Sequence, residues 1–81
     1  MVYQIIITDC GILTNFRTFQ DGKDALHALN SELNWHRKQY SEDEDNAEEY
    51  DAIDLEDENM VCTFLFKCGD IRVNFVAGEI E

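Results

Sequence analysis

Between Glu42 and Glu58 stand eleven acidic residues and no lysine or arginine: Glu42, Asp43, Glu44, Asp45, Glu48, Glu49, Asp51, Asp54, Glu56, Asp57 and Glu58. The other sixty-four residues carry seven acids and six bases. Nearly all of the formal charge of −12 is therefore confined to one window. Blocks of like charge repel and resist compaction. Proline and glycine are nevertheless absent from this window, and Ala47, Tyr50 and Ile53 recur at i, i+3 and i+6. That sparse apolar stripe is able to hold one helical face against the body of the protein. An unanchored tail has no use for Tyr50, Ile53 and Leu55. The window is read as an ordered or part-ordered segment, and a disordered acidic loop is the competing reading.

The flanking segments have clear periodicities. Val2 to Thr8 is β-branched and aromatic without a breaker and reads as a strand. Asp9-Cys10-Gly11 supplies a turn, and Ile12 to Phe19 follows as a second strand. Asp21 fits a helix N-cap, with Asp24 favouring the positive end of the helix dipole. From Lys23 to about Tyr40, Leu26, Leu29, Leu33 and Tyr40 share one stripe with Ala25 and Ala28 beside it. Arg37 and Lys38 suit the negative pole. Beyond the acidic window, Met60–Lys67 and Ile71–Ala77 alternate with period two about Cys68-Gly69-Asp70, a second hairpin. Met60–Lys67 is largely apolar on both faces, which predicts a central strand or one with a covered outer face. The order β-β-α-(α)-β-β predicts one α+β domain over residues 1–81, a mostly antiparallel sheet with helices packed on it.

Eighty-one residues bury only about 60% of the surface exposed on unfolding, so stability is marginal and such domains commonly add a staple or a partner. The expectation here is a homodimer. Three cysteines, Cys10, Cys62 and Cys68, form neither an even disulfide framework nor a CxxC pair, and are read as free thiols in a reducing compartment. The start MVYQIIITD lacks a basic region, and its apolar run is short for a signal peptide. No run approaches a membrane span. A cytoplasmic location is expected.

The acids invite calcium, but no register of an EF-hand loop fits. Counting from Asp43 places Glu48 at the position that needs glycine, and counting from Asp54 places Leu65 where the bidentate glutamate belongs. His27 and His36 lie nine apart on the helix and face different ways, so no zinc set forms. Both are read as polar residues flanking the apolar stripe. Nucleophile-elbow, P-loop, HExxH and GxGxxG signatures are absent, and a solvated acidic run cannot set two carboxyls in unlike environments. An enzyme is not expected, nor any cofactor or metal.

The bland reading of the window is a solubilising face. The sharper one is an array that imitates phosphates. Helix residues three or four apart bring Cβ atoms within about 5–6 Å, and duplex DNA carries a phosphate every ~3.4 Å of rise along each strand. Glu44, Glu48 and Asp51 on one helix would form a row of similar density. A small domain is served by a net charge of about 2–8 in magnitude, and this chain exceeds it. The natural partners of such a surface are basic proteins, neither nucleic acid nor anionic membrane.

With N-terminal MVYQIIITDCGILTNF, helix DALHALNSELNWHRKQY, acidic SEDEDNAEEYDAIDLEDE and closing hairpin VCTFLFKCGDIRVNFVAGE, the chain resembles, over its whole length and in general character, the anti-restriction nuclease family Arn of T-even phages. The resemblance implies a dimeric DNA mimic that acts in the host bacterial cytoplasm. Its implied partners are the modified-cytosine restriction endonuclease McrBC and the nucleoid protein H-NS. No short motif carries individual contacts over, so the eleven acids of the window are the candidate partner-binding residues on charge alone. Two other classes stay open: another small acidic inhibitor, directed at a CRISPR nuclease or a uracil glycosylase, and a regulatory module that binds a basic protein without imitating DNA.

Overall fold

The computed structural model describes residues 1–41 and 46–78. Two hairpins and a long helix form where local pattern demands them. Strands β1 (Val2–Asp9) and β2 (Ile12–Phe19) reverse through Cys10 and Gly11, whose φ values of 50° and 81° lie in the left-handed region that tight hairpin turns require. A bulge interrupts their register next to Ile7 and Thr8, where the Thr14 hydroxyl donates to the Ile7 carbonyl at 3.1 Å. Helix α1 (Gly22–Gln39) starts at Asp21, whose carboxylate accepts the Lys23 N–H at 2.8 Å. This satisfies one of the amides that a helix start leaves unpaired. Gly22 packs closely against Tyr3, where a Cβ would sit 3.2 Å from the end of the ring.

A short helix α2 (Asn46–Asp51) precedes strands β3 (Val61–Phe66) and β4 (Ile71–Gly78). The four strands make one antiparallel sheet in the order β2-β1-β4-β3, an α+β fold. The two hairpins meet along β1 and β4, which pair from Val2↔Gly78 to Asp9↔Ile71. α1 covers one face of the sheet. Ile5, Leu29, Leu33, Phe64, Phe66, Val73 and Phe75 have no exposed surface there, and each such side chain contributes about 1.5–3 kcal/mol by leaving water. None of the described helices is long and apolar enough to cross a membrane.

Three expectations need correction. β3 is an edge strand and not a central one. Its core face carries Cys62, Phe64 and Phe66, while Val61 on the other face is 67% exposed. Its apolar character reflects core contact on one face and a cover along its outer edge. Among the described residues of the acidic window, the helix spans Asn46–Asp51. Ala47 is exposed on it and Asn46 is buried instead, while Tyr50, Ile53 and Leu55 pack against the core as expected. His36, read as flanking, is buried on the stripe itself. Its Nδ1 lies 2.7 Å from the Glu32 carbonyl oxygen, and its ring packs 5.4 Å from that of Phe66. His27 is exposed, so the two histidines share no site.

Candidate protein-binding surface

The acidic segment is fastened to the sheet from its first described residue to its turns. A strand at a sheet edge presents unpaired N–H and C=O groups that must find partners. Along β3 and at Lys67, just past its end, those partners come from the segment and from Ser41 before it. The Lys67 N–H donates to the Ser41 carbonyl at 2.8 Å. The Leu65 N–H donates to Asn46 Oδ1 at 2.8 Å, and Asn46 Nδ2 donates back to the Leu65 carbonyl at 2.8 Å. The Thr63 N–H donates to Glu49 Oε2 at 3.3 Å. Residues 63, 65 and 67 alternate along one edge, so the Asn46 amide sits where the peptide of a fifth strand would sit. It is 1% exposed, and its amide oxygen and nitrogen are both bonded.

Beyond α2 the chain closes in turns. The Asp54 carboxylate accepts the Glu56 N–H at 3.0 Å, and the Asp57 carboxylate accepts the Asn59 N–H at 2.9 Å. Between them the Tyr3 hydroxyl donates to the Leu55 carbonyl at 2.6 Å, which ties the far end of the segment to β1. The apolar side chains Tyr50, Ile53 and Leu55 line one small cavity with Leu26 of α1.

This anchoring sorts the candidate residues. Glu48 and Asp51 stand exposed on α2, and Asp54, Glu56, Asp57 and Glu58 stand exposed in the turns that follow. Among the described residues, no salt bridge neutralises Glu48, Asp51, Asp54, Glu56 or Asp57. Glu49 differs, because it is half-buried and its carboxylate holds the edge of β3. Glu42, Asp43, Glu44 and Asp45 lie outside the described residues, so the proposed row of Glu44, Glu48 and Asp51 is represented by its last two members. Sequence reasoning missed Asn46. The signal was present as the one amide between two acidic runs, but pairing with Leu65 nineteen residues away leaves no local trace.

Elsewhere, an open cleft of about 420 Å³ lies between α1 and β2, lined by Thr14, Asn15, Ser31, Glu32, Trp35 and His36 with Ile7 at its side. Arg17 reaches Glu32 at 3.9 Å there, a long and partly exposed pair of small energetic weight. Cys10 and Cys68 are exposed and Cys62 is buried, all three as free thiols. The Cys10 thiol is pushed up by its hydrogen bond to Asp9 and by the charge of Asp70, and burial pushes up that of Cys62. No group of three or more potential metal ligands forms among the described residues. Comparison with known proteins found no matching family model, no matching curated protein and no matching solved structure.

Proposed function

We propose that this protein binds a basic DNA-binding protein at the surface that DNA would otherwise occupy, presenting carboxylates in place of phosphates. One observation supports the reading: Glu48, Asp51, Asp54, Glu56 and Asp57 are exposed and, among the described residues, without salt bridges, on a segment hydrogen-bonded to the sheet at Asn46, Glu49 and Leu55. A chain that needed acids only for solubility has no reason to hold them in place. A groove that recognises phosphates at fixed spacing gains from charges already ordered, because the entropy of ordering them is not lost on binding. Glu48 and Asp51 are three residues apart on α2, at a spacing of the order of that between phosphates.

The resemblance of the chain to the Arn family points to a bacterial restriction endonuclease of the McrBC type as the partner, with H-NS as a second. Inhibition is by occupancy in the host cytoplasm, with no chemical step. The test is competition at several salt concentrations. A partner is titrated with this protein and with duplex DNA, alone and together. Screening shortens the reach of exposed charges from about 10 Å at 0.1 M salt to about 3 Å at 1 M. Affinity for the protein should therefore fall with salt, though less steeply than that for DNA, which also releases condensed counterions. A flat salt response, or simultaneous binding of both ligands, sinks the reading.

A further inference from the structure

Thr14 and Asn15 are consecutive on β2, yet both line the cleft between that strand and α1. Neighbours on a regular strand face opposite sides. Here Ile7 pairs with Asn15 and Thr8 with Leu13, so Thr14 is the extra residue of a bulge. Bulges re-aim side chains and recur beside functional sites, and this one brings both residues to the cleft. α1 supplies the opposite wall with Ser31, Glu32, Trp35 and His36, two adjacent pairs about one helical turn apart. The space of about 420 Å³ lies within the range of about 300–1,000 Å³ typical of small-ligand sites.

The lining fixes the chemistry of an occupant. The Glu32 side chain is 21% exposed. Among the described residues no hydrogen bond reaches its carboxylate, since Arg17 Nη1 and His36 Nδ1 both stay 3.9 Å away. The Thr14 hydroxyl donates to the Ile7 carbonyl, so its oxygen offers the cleft lone pairs alone, and Asn15 and Ser31 are able to accept as well. An occupant must therefore donate hydrogen bonds and carry positive charge. Trp35 adds the requirement that it be flat. This side chain is 53% exposed, and its ring is braced by His36 at 77° and Tyr40 at 66°, with centroids 5.0 and 6.2 Å away. A braced indole is a ready platform for a cation, and a planar guanidinium both stacks on it and forks onto a carboxylate, which an ammonium does not. Arg17 displays this mode beside the cleft, where its guanidinium lies 5.1 Å from the Phe19 ring centroid while reaching toward Glu32. Free arginine fits less well than arginine within a peptide, because its own carboxylate is repelled by a chain of net charge −12.

We propose that this cleft receives an arginine side chain of a protein partner, with the guanidinium against Trp35 and bonded to Glu32. The cleft stands on the β2 side of the sheet, and the acidic segment lies along β3 at the other edge. The contact therefore does not depend on the DNA-mimic reading, and it is tested without the partner which that reading requires.

The probe is the capped tripeptide glycyl-arginyl-glycine, titrated into the full chain beside its lysine counterpart and free arginine. Trp35 is the chain's one tryptophan, so its indole N–H is a single reporter by nuclear magnetic resonance. The arginine peptide should shift that signal and the Asn15 side-chain amide saturably, with Kd of the order of 1–10 mM. The lysine peptide, equal in charge, should bind several-fold more weakly, and so should free arginine. Glu32→Gln should weaken the arginine peptide by about five- to tenfold, as a neutral hydrogen bond replaces a charged one. Arg17→Gln removes a cation that competes for the same carboxylate and should tighten it. Opposite signs from the two halves of one ion pair are not the mark of a merely structural contact. Should either variant unfold, the contrast between arginine and lysine on the unaltered chain still decides. Equal shifts with arginine and lysine, free arginine binding more tightly than the peptide, or a folded Glu32→Gln variant that binds like the parent would each overturn the proposal.

Discussion

Replacing Asn46 by alanine tests whether the acidic segment is held by the edge of β3. The substitution removes two hydrogen bonds of 2.8 Å and leaves the Leu65 N–H and carbonyl without partners. A typical hydrogen bond contributes about 0.5–1.5 kcal/mol net, and a buried group left unpaired costs about 1–3 kcal/mol. Water can reach an edge strand once the amide is gone, so the lower part of each range applies, and the sum is about 2–3 kcal/mol. A domain of this size has of the order of 4–12 kcal/mol in total. At about 4–8 °C per kcal/mol, Asn46→Ala should lower Tm by roughly 10–20 °C, with faster amide exchange at Leu65 and Thr63. Asn46→Asp sharpens the test. A carboxylate still accepts from the Leu65 N–H but repels its carbonyl, and burial beside that carbonyl raises the carboxyl pKa. A raised pKa means the folded state holds the proton more tightly, so stability lost at neutral pH returns as pH falls through the folded value. Measured against Asn46→Ala at each pH, the aspartate variant should be less stable near neutrality and should recover in mild acid. An alanine variant that melts with the parent would refute the argument, since the amide would then be incidental to the segment's order.

The other predictions are simpler to read. Neutralising Glu48, Asp51 and Glu56 together as glutamine, asparagine and glutamine should leave Tm unchanged or raise it slightly, because like charges on one surface only repel. It should also weaken partner binding clearly; unchanged binding would remove these residues from the interface. Glu49→Gln keeps an oxygen for the Thr63 N–H and should leave both Tm and binding near the parent's, whereas Glu49→Ala should lower Tm. Alkylation of the native protein should modify exposed Cys10 and Cys68 while sparing Cys62, which should react only as fast as the fold opens. Because Asp9 and Asp70 hold the Cys10 thiol up, its rate should still be climbing at pH values where an ordinary thiol has levelled off; mass spectrometry of the labelled peptides reads all three sites.

What the chain's own order determined was local. The β-branched run of β1, the alternation of β3 and β4, the helical stripe of α1 with its Asp21 cap, and the turns at Asp9-Cys10-Gly11 and Cys68-Gly69-Asp70 each follow from contacts between near neighbours. Period and turn chemistry report such contacts directly. The confinement of charge to residues 42–58 is likewise a property of composition, and it places the candidate surface before any fold is known. β2 was legible as a strand, but its residues did not announce an edge, because an edge is defined by what fails to pair with it.

Only the tertiary structure decided the rest. Strand order depends on which hairpin lies beside which, and β1 joins β4 across almost the whole chain. That pairing puts β3 at an edge, contrary to the central position that was one of two alternatives drawn from its apolar faces. It also creates the row of orphan amides that Asn46 and Glu49 satisfy. The same packing buries His36 against Phe66, where spacing alone made it a flanking polar residue. An acidic run is read from sequence as repulsion and solvation. Its described part is held here by the uncharged Asn46 amide, by Glu49, by the packing of Tyr50, Ile53 and Leu55, and by Tyr3, fifty-two residues from the Leu55 carbonyl to which it donates. Contacts at that separation have no period, so no pattern in the chain records them, and they form only when the sheet has brought both ends together.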